Sequence, residues 1–171
     1  MDSFVSLAQK VIENYIKNRV VIQAPRNLAS EFYKRRAGVF VTIYNKKDLR
    51  GCIGTFLPTK ENIALEIIDN AISVCSRDYR FMPITEKELP ALNYEVSILS
   101  EPCPIKDLKK HNPKKHGIIV STSDGRRGLL LPDLETIDTT EQQIIIASQK
   151  GGIDPFKDKI QLDEFTVEKH R

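Results

Sequence analysis

A chain of 171 residues with 40% hydrophobic and 29% charged residues can bury a core of its own, and this composition excludes the disordered and membrane-spanning classes. The net charge of +3 permits an anionic partner without requiring one, because binding depends on how the lysines and arginines cluster. Three distant cysteines without a C-x-x-C pair, and a first segment without a basic start and apolar run, favour a cytoplasmic protein with free thiols.

Apolar residues at steps of three and four predict two long helices, and a capping residue with a terminal glycine predicts a third. They cover residues 3–17, 60–76 and 138–150. The predicted caps are Asp2 or Ser3 for the first, Thr59 for the second, and Asp138 or Thr139 for the third, which Gly151 ends. A further short helical turn is predicted where Thr85 and Glu88 have the spacing of a capping box.

Runs of β-branched and aromatic residues predict the strands, and turn residues separate them. The predicted strands cover residues 39–44, 49–56, 92–99, 117–120, 128–131 and 160–167. The first two form a hairpin around a polar turn, and so do the fourth and fifth. Residues 92–99 alternate strictly, so Glu95 faces either solvent or a polar site.

The stretch 49–56, LRGCIGTF, places a thiol between two glycines and beside an arginine. Glycine allows a positive φ or a close approach, so Gly51 and Gly54 predict a bent strand that re-aims Cys52. In a regular strand Arg50 and Cys52 share a face, where the guanidinium would favour the reactive thiolate. The alternative interpretation is a buried Cys52 that acts as a small hydrophobe.

Other segments supply companions for this thiol. His116, at the start of a hairpin, is the candidate base, and Glu95 or Asp78 would orient its ring. Arg77, Asp78 and Arg80 form either an anion-binding loop or an internal Arg–Asp pair.

The basic stretch 106–116 carries five lysines, and it either contacts phosphates or is a solvated loop. Three histidines, at positions 111, 116 and 170, form no helical pair with a carboxylate, so we expect no metal site and no cofactor.

Five stretches together resemble one family. They are LRGCIGTF (49–56), RDYRFMP (77–83), YEVSILS (94–100), HGIIV (116–120) and GLLLP (128–132). In this order, over nearly the whole chain, they resemble the AMMECR domain family, named after the Alport syndrome, midface hypoplasia and elliptocytosis chromosomal region protein.

The resemblance implies one α+β domain over residues 1–171 with two subdomains. The larger would hold a mixed sheet with flanking helices, and the smaller would be rich in β-structure. No established reaction comes with the resemblance, but many microbial members are encoded beside or fused to Memo-like and radical S-adenosylmethionine proteins. That association suggests a shared modification pathway.

Two hypotheses of function follow. In the first, the chain is an enzyme or enzyme component that binds an anionic substrate, a nucleotide or RNA, in a groove around Cys52. Its catalytic residues would be Cys52, His116 and Glu95, and its substrate-binding residues would be Arg50, Gly51, Gly54, Arg77, Asp78 and Arg80. In the second, the chain is a non-catalytic binding module or scaffold for nucleic acid or protein partners.

Overall fold

The computed structural model describes residues 2–171 and confirms the three long helices. The helices are α1 (Ser3–Asn18), α2 (Glu31–Lys34), α3 (Ile63–Ser76) and α4 (Thr140–Lys150), with a 3₁₀ helix at Glu86–Ala91. Asp2 caps α1 by accepting the N–H groups of Phe4 and Val5, and Thr139 caps α4 through a capping box. None of the helices in residues 2–171 is long and apolar enough to cross a membrane.

Helix α3 starts later than predicted, because its cap is Asn62 and not Thr59. The Asn62 side chain accepts the N–H of Leu65 at 3.1 Å. Thr59 instead donates both its N–H and its hydroxyl to Glu66, in the first turn of the helix. A side chain from inside the helix thus captures the preceding loop, an arrangement that capping preferences do not predict.

Within residues 2–171, eight strands form two four-stranded sheets. They are β1 (Val39–Asn45), β2 (Asp48–Gly54), β3 (Leu92–Leu99), β4 (Cys103–Pro104), β5 (Gly117–Thr122), β6 (Arg127–Leu130), β7 (Ile160–Phe165) and β8 (Val167–His170). The first sheet has the order β2-β1-β3-β8 and the second β4-β7-β5-β6. The single strand predicted at 160–167 is therefore two, one in each sheet.

The α+β class is confirmed. The resemblance implied a mixed sheet, but every strand pair whose register is described is antiparallel. β1 pairs antiparallel with β2 and β3, and β7 and β5 pair antiparallel with their neighbours. Tight hairpins join β1 to β2 and β5 to β6, and two strands joined in this way must run in opposite directions.

The chain divides into two compact units. The first runs to Leu99 and includes Glu168–Arg171, and the second is Ser100–Val167. In the first unit, α1, α3 and one face of the sheet supply the core, and the fully buried β1 side chains Val39, Val41 and Ile43 belong to it. In the second unit, β5, β6 and α4 contribute to a smaller core.

Candidate functional site

A β-bulge in the β1–β2 hairpin decides which way Cys52 faces. Arg50 is the extra residue on β2, so the register shifts by one beyond it. Without that shift the hairpin turn would pair Cys52 with Val41, whose side chain is in the core. With the shift, Cys52 pairs with Thr42 on the opposite face. The predicted bend is present, and it re-aims the thiol.

The two glycines of the motif permit close approach and do not adopt positive φ. A Cβ on Gly54 would lie 2.4 Å from both the Phe40 ring and the Val39 carbonyl oxygen. A Cβ on Gly51 would lie 3.0 Å from the Val74 side chain of α3. Both glycines therefore serve packing within the first unit.

The backbone of Cys52 is held by two side chains of the loop that follows α3. Among the described residues β2 is an edge strand of its sheet, so one side of its backbone lacks a strand partner. The Cys52 N–H donates to Asp78 Oδ2 at 3.0 Å, and Arg80 Nη2 donates to the Cys52 carbonyl at 2.7 Å. Asp78 and Arg80 therefore complete the hydrogen bonding of an exposed strand edge.

Asp78 and Arg80 also bind each other. Arg80 Nε and Nη2 donate to the two Asp78 carboxylate oxygens at 2.8 and 2.7 Å. These hydrogen bonds hold the pKa of the buried Asp78 at about 2. Of the two interpretations of this loop, the geometry supports the internal Arg–Asp pair.

The Cys52 thiol is half-buried and accepts a hydrogen bond from Thr42 Oγ1 at 3.3 Å. Burial raises its pKa above the ordinary value, more than the Thr42 hydrogen bond and the Arg80 charge lower it. The Asp78 and Glu95 charges raise the pKa further. The group is a thiol at neutral pH, which weakens its nucleophilicity.

Arg50 binds another carboxylate. Its Nε donates to Glu88 Oε1 at 2.6 Å, and its Nη2 donates to the Met82 carbonyl at 2.9 Å. The regular alternation that puts Arg50 beside Cys52 does not hold here, because the bulge interrupts it. The arginine that acts on the thiol is Arg80.

Glu95 lies across β1 from Cys52, because Thr42 pairs with both residues. The Glu95 carboxylate is buried, and its Oε2 accepts the Nε–H of Arg171 at 2.6 Å. Cys52, Thr42 and Glu95 thus form a row across three strands. The sequence pattern does not predict the contact of Thr42 with Cys52, because only the bulge brings Thr42 opposite the thiol.

The loop after α3 presents large side chains to solvent. Tyr79 is 95% exposed and Met82 is 81% exposed. Phe81 lies between two arginines, with the Arg80 and Arg50 guanidinium carbons 5.6 and 6.0 Å from its ring centroid. We call Tyr79, Phe81 and Met82 the loop surface. Arg77 is exposed as well, and its N–H closes α3 on the Ser73 carbonyl.

His116 belongs to the second unit, where it lies with His111 and Glu164. One ligand atom from each of these three residues lies within 4.8 Å of the other two. Two of the residues come from a loop and its junction with β5, and the third comes from β7, so a search for helical pairs does not find them. The predicted pairing of His116 with Cys52 stays a prediction.

We expect Cys52 to react slowly with iodoacetamide at pH 7, because burial favours its protonated form. The exposed Cys103 in the same sample is the internal control and reacts first. Thr42→Val slows Cys52 further, because the hydroxyl that lowers its pKa is gone. Mass spectrometry of the alkylated peptides across pH measures both rates, and a Cys52 that matches Cys103 at pH 7 contradicts this prediction.

Known proteins resemble this chain over nearly its full length. A protein of Thermotoga maritima is 47% identical over 169 residues, which are 98% of this chain and 97% of that protein. The solved structure of an uncharacterised protein from Pyrococcus horikoshii matches with a TM-score of 0.83 and 31% identity, over 97% of this chain and 88% of that one.

A protein of Clostridium acetobutylicum is 38% identical over 171 residues and matches 99% of this chain, but this chain spans only 36% of that protein's length. The matching region is there part of a much longer polypeptide. A family model described as AMMECR1 matches residues 5–170. With the relatives' identity and coverage, this match shows that the chain belongs to the AMMECR1 family.

Proposed function

We propose that this chain is a binding module for a protein partner, and that the partner contacts the loop surface. The observation that carries the proposal is the 95% exposure of Tyr79 and the 81% exposure of Met82. Aromatic residues, methionine and arginine are the types that are enriched in protein–protein interfaces.

The loop surface is held in place before any partner binds. Asp78 and Arg80 attach one end of the loop to the Cys52 backbone, and Arg50 attaches the other end through the Met82 carbonyl. Little backbone ordering entropy is then lost on binding, so the exposed side chains contribute more of their contact energy to affinity.

The same contacts argue against the enzyme hypothesis with an anionic substrate. Arg50 is paired with Glu88 and Arg80 with Asp78, so a phosphate would have to compete with a carboxylate for each guanidinium. The pKa of Cys52 is raised, which disfavours a nucleophilic thiolate. In the basic stretch, Lys114 also pairs with a carboxylate, that of Asp138.

The partner that we propose is a Memo-like protein. The longer Clostridium relative supports a partner that works beside this domain, since the matching region there is joined to further polypeptide. Linking two domains on one chain raises their effective concentration, so the same contact surface is expected to bind the neighbour more weakly when the two are separate proteins.

We expect the purified chain to bind the Memo-like protein of the same organism in isothermal titration calorimetry. Replacing Tyr79 and Met82 together by serine weakens this binding at least ~10-fold, because buried aromatic anchors dominate interface energies. Phe156→Ser is the matched control, because it removes an 84% exposed aromatic side chain from the second unit, and it leaves the affinity unchanged.

Two results overturn the proposal. One is binding that the double serine variant retains in full. The other is salt-dependent RNA binding that survives the double variant and is lost on charge reversal of Lys109, Lys110, Lys114 and Lys115, which supports the nucleic-acid alternative. A radical S-adenosylmethionine protein titrated in parallel shows whether binding is specific to the Memo-like partner.

A further inference from the structure

Two histidines and a glutamate meet in the second unit. His111 lies in the loop before β5, His116 directly precedes that strand, and Glu164 lies on β7 opposite Ile118. His111 Nδ1 is 2.7 Å from Glu164 Oε2, and His116 Nδ1 is 3.9 Å from the same oxygen. One carboxylate oxygen thus faces two ring nitrogens.

Gln143 on α4 fixes the orientation of His111. Its amide nitrogen donates to the His116 carbonyl at 2.9 Å, so its amide oxygen faces His111 Nε2, 2.7 Å away. That oxygen can only accept, and Nε2 must therefore carry a hydrogen. At 2.7 Å, Nδ1 and the Glu164 oxygen share a hydrogen, and a metal ion bound to Nδ1 takes the place of that hydrogen. Metal-binding histidines are commonly held in this way through their second nitrogen.

His116 supplies the second observation. Its Nδ1 is buried and has no hydrogen-bond partner among residues 2–171, since 3.9 Å from Glu164 is too long for a hydrogen bond. A buried polar atom without a partner is costly, and most such atoms are satisfied by a neighbouring group, water or an ion. A cation between the three residues would satisfy it.

The donor set and its spacing suit a divalent transition metal. Two imidazoles and one carboxylate bind Zn²⁺ and its neighbours, whereas Mg²⁺ and Ca²⁺ prefer oxygen ligands throughout. With metal–ligand bonds of ~2.0–2.1 Å, tetrahedral ligands lie roughly 3.3 Å apart. The 2.7 Å gap must therefore widen and the 3.9 Å gap narrow by about half an ångström, and the two imidazole ligand atoms, within 4.8 Å of each other, must reach the same spacing.

We propose that His111 Nδ1, His116 Nδ1 and Glu164 Oε2 bind a divalent transition metal ion, with zinc as the reference ion. The His111 side chain is fully buried, whereas those of His116 and Glu164 are 29% and 26% exposed. The ion is reached from their side, and a fourth position stays open to water. Three protein ligands with one open position are the arrangement of reactive zinc sites, while structural sites have four.

Titrating the chelator-treated, dialysed protein with ZnCl₂ in a calorimeter tests this site. We expect one zinc ion per chain. His116→Ala and Glu164→Gln each weaken zinc binding at least ~10-fold, and Gln143→Leu weakens it ~10–100-fold by releasing His111. The far-ultraviolet circular dichroism spectrum of each variant shows whether it is folded. His116→Ala is the variant most expected to remain folded, because His116 is partly exposed.

Matched controls come from the first unit, where His170→Ala and Glu168→Gln change the same residue types outside the cluster. Both retain the wild-type affinity. Cys103 lies opposite Glu164 on β4, so Cys103→Ser tests whether a thiol accounts for the binding. We expect the stoichiometry to stay at one ion in that variant.

The proposal is overturned if the wild-type protein shows no saturable zinc binding. It is also overturned if folded His116→Ala and Glu164→Gln bind zinc as tightly as the wild type. In that case the contact of His111 with Glu164 is a structural hydrogen bond. These results do not depend on the binding-module proposal, because no residue of the loop surface is involved.

Discussion

Asp78→Ala is expected to lower the free energy of unfolding by about 3 kcal/mol, because the carboxylate is buried and binds two partners. Its removal leaves the Cys52 N–H without an acceptor at the sheet edge and releases Arg80 from the loop. Urea denaturation at pH 7 measures the loss. We also expect weaker binding of the proposed Memo-like partner, since the loop surface then lacks its attachment to β2.

The same carboxylate makes stability depend on acid pH. The hydrogen bonds from Arg80 lower its pKa from 3.8 to about 2. A carboxyl group whose pKa is lower in the folded state stabilises the fold at every pH above its unfolded-state pKa. This stabilisation is lost as the pH falls through the folded-state pKa. We expect about 2 kcal/mol to be lost between about pH 5 and pH 2 in the wild type and not in Asp78→Asn.

The control for both measurements is Asp69→Ala. Asp69 pairs with Lys60 at 3.2 Å, but the two side chains are 45% and 38% exposed. Such surface pairs contribute about 0–1 kcal/mol, so this variant stays near the wild type at every pH. If Asp78→Ala is also as stable as the wild type, the hydrogen bonds of Asp78 and Arg80 to the Cys52 backbone do not stabilise the fold.

Glu66→Ala is expected to have a larger effect, of about 4 kcal/mol. The side chain is 1% exposed and accepts four hydrogen bonds at 2.6–2.8 Å, from the Thr55 hydroxyl, the Thr59 hydroxyl and N–H, and the Lys60 N–H. Alanine leaves these donors unsatisfied and creates a cavity. Thermal and urea unfolding measure the change.

Glu61→Ala is the matched control, because Glu61 lies five residues earlier and is exposed. We expect it to change the free energy of unfolding by less than about 0.5 kcal/mol. Thr55 belongs to the LRGCIGTF motif, so the Glu66 network also holds the end of that motif against α3. A Glu66→Ala protein as stable as Glu61→Ala would show that the network contributes little.

The LRGCIGTF motif thus has structural contacts at most of its positions. Arg50 binds Glu88, Gly51 packs against α3, Cys52 is held by Asp78 and Arg80, Gly54 lies against Phe40 and Thr55 binds Glu66. These contacts account for the residue types at the bend and position the loop surface beside it. In this fold the motif holds the loop surface in place.

Local features of the sequence determined much of the fold. The apolar periodicity predicted α1, the hairpin turn predicted β1 and β2, and the capping box predicted the 3₁₀ helix. The motif and the order of its companion stretches also identified the family. Caps, turns and amphipathic faces involve residues a few positions apart, so the sequence carries them directly.

Tertiary structure alone decided the chemistry of the candidate sites. One extra residue in β2 places Cys52 opposite Thr42 and not opposite Val41, and burial there keeps it a thiol. Arg50 forms an ion pair with Glu88 instead of acting on Cys52, and β7 places Glu164 beside His111. Strand register and packing between distant segments set these contacts, and they depend on energies summed over the whole unit, which no short stretch of sequence encodes.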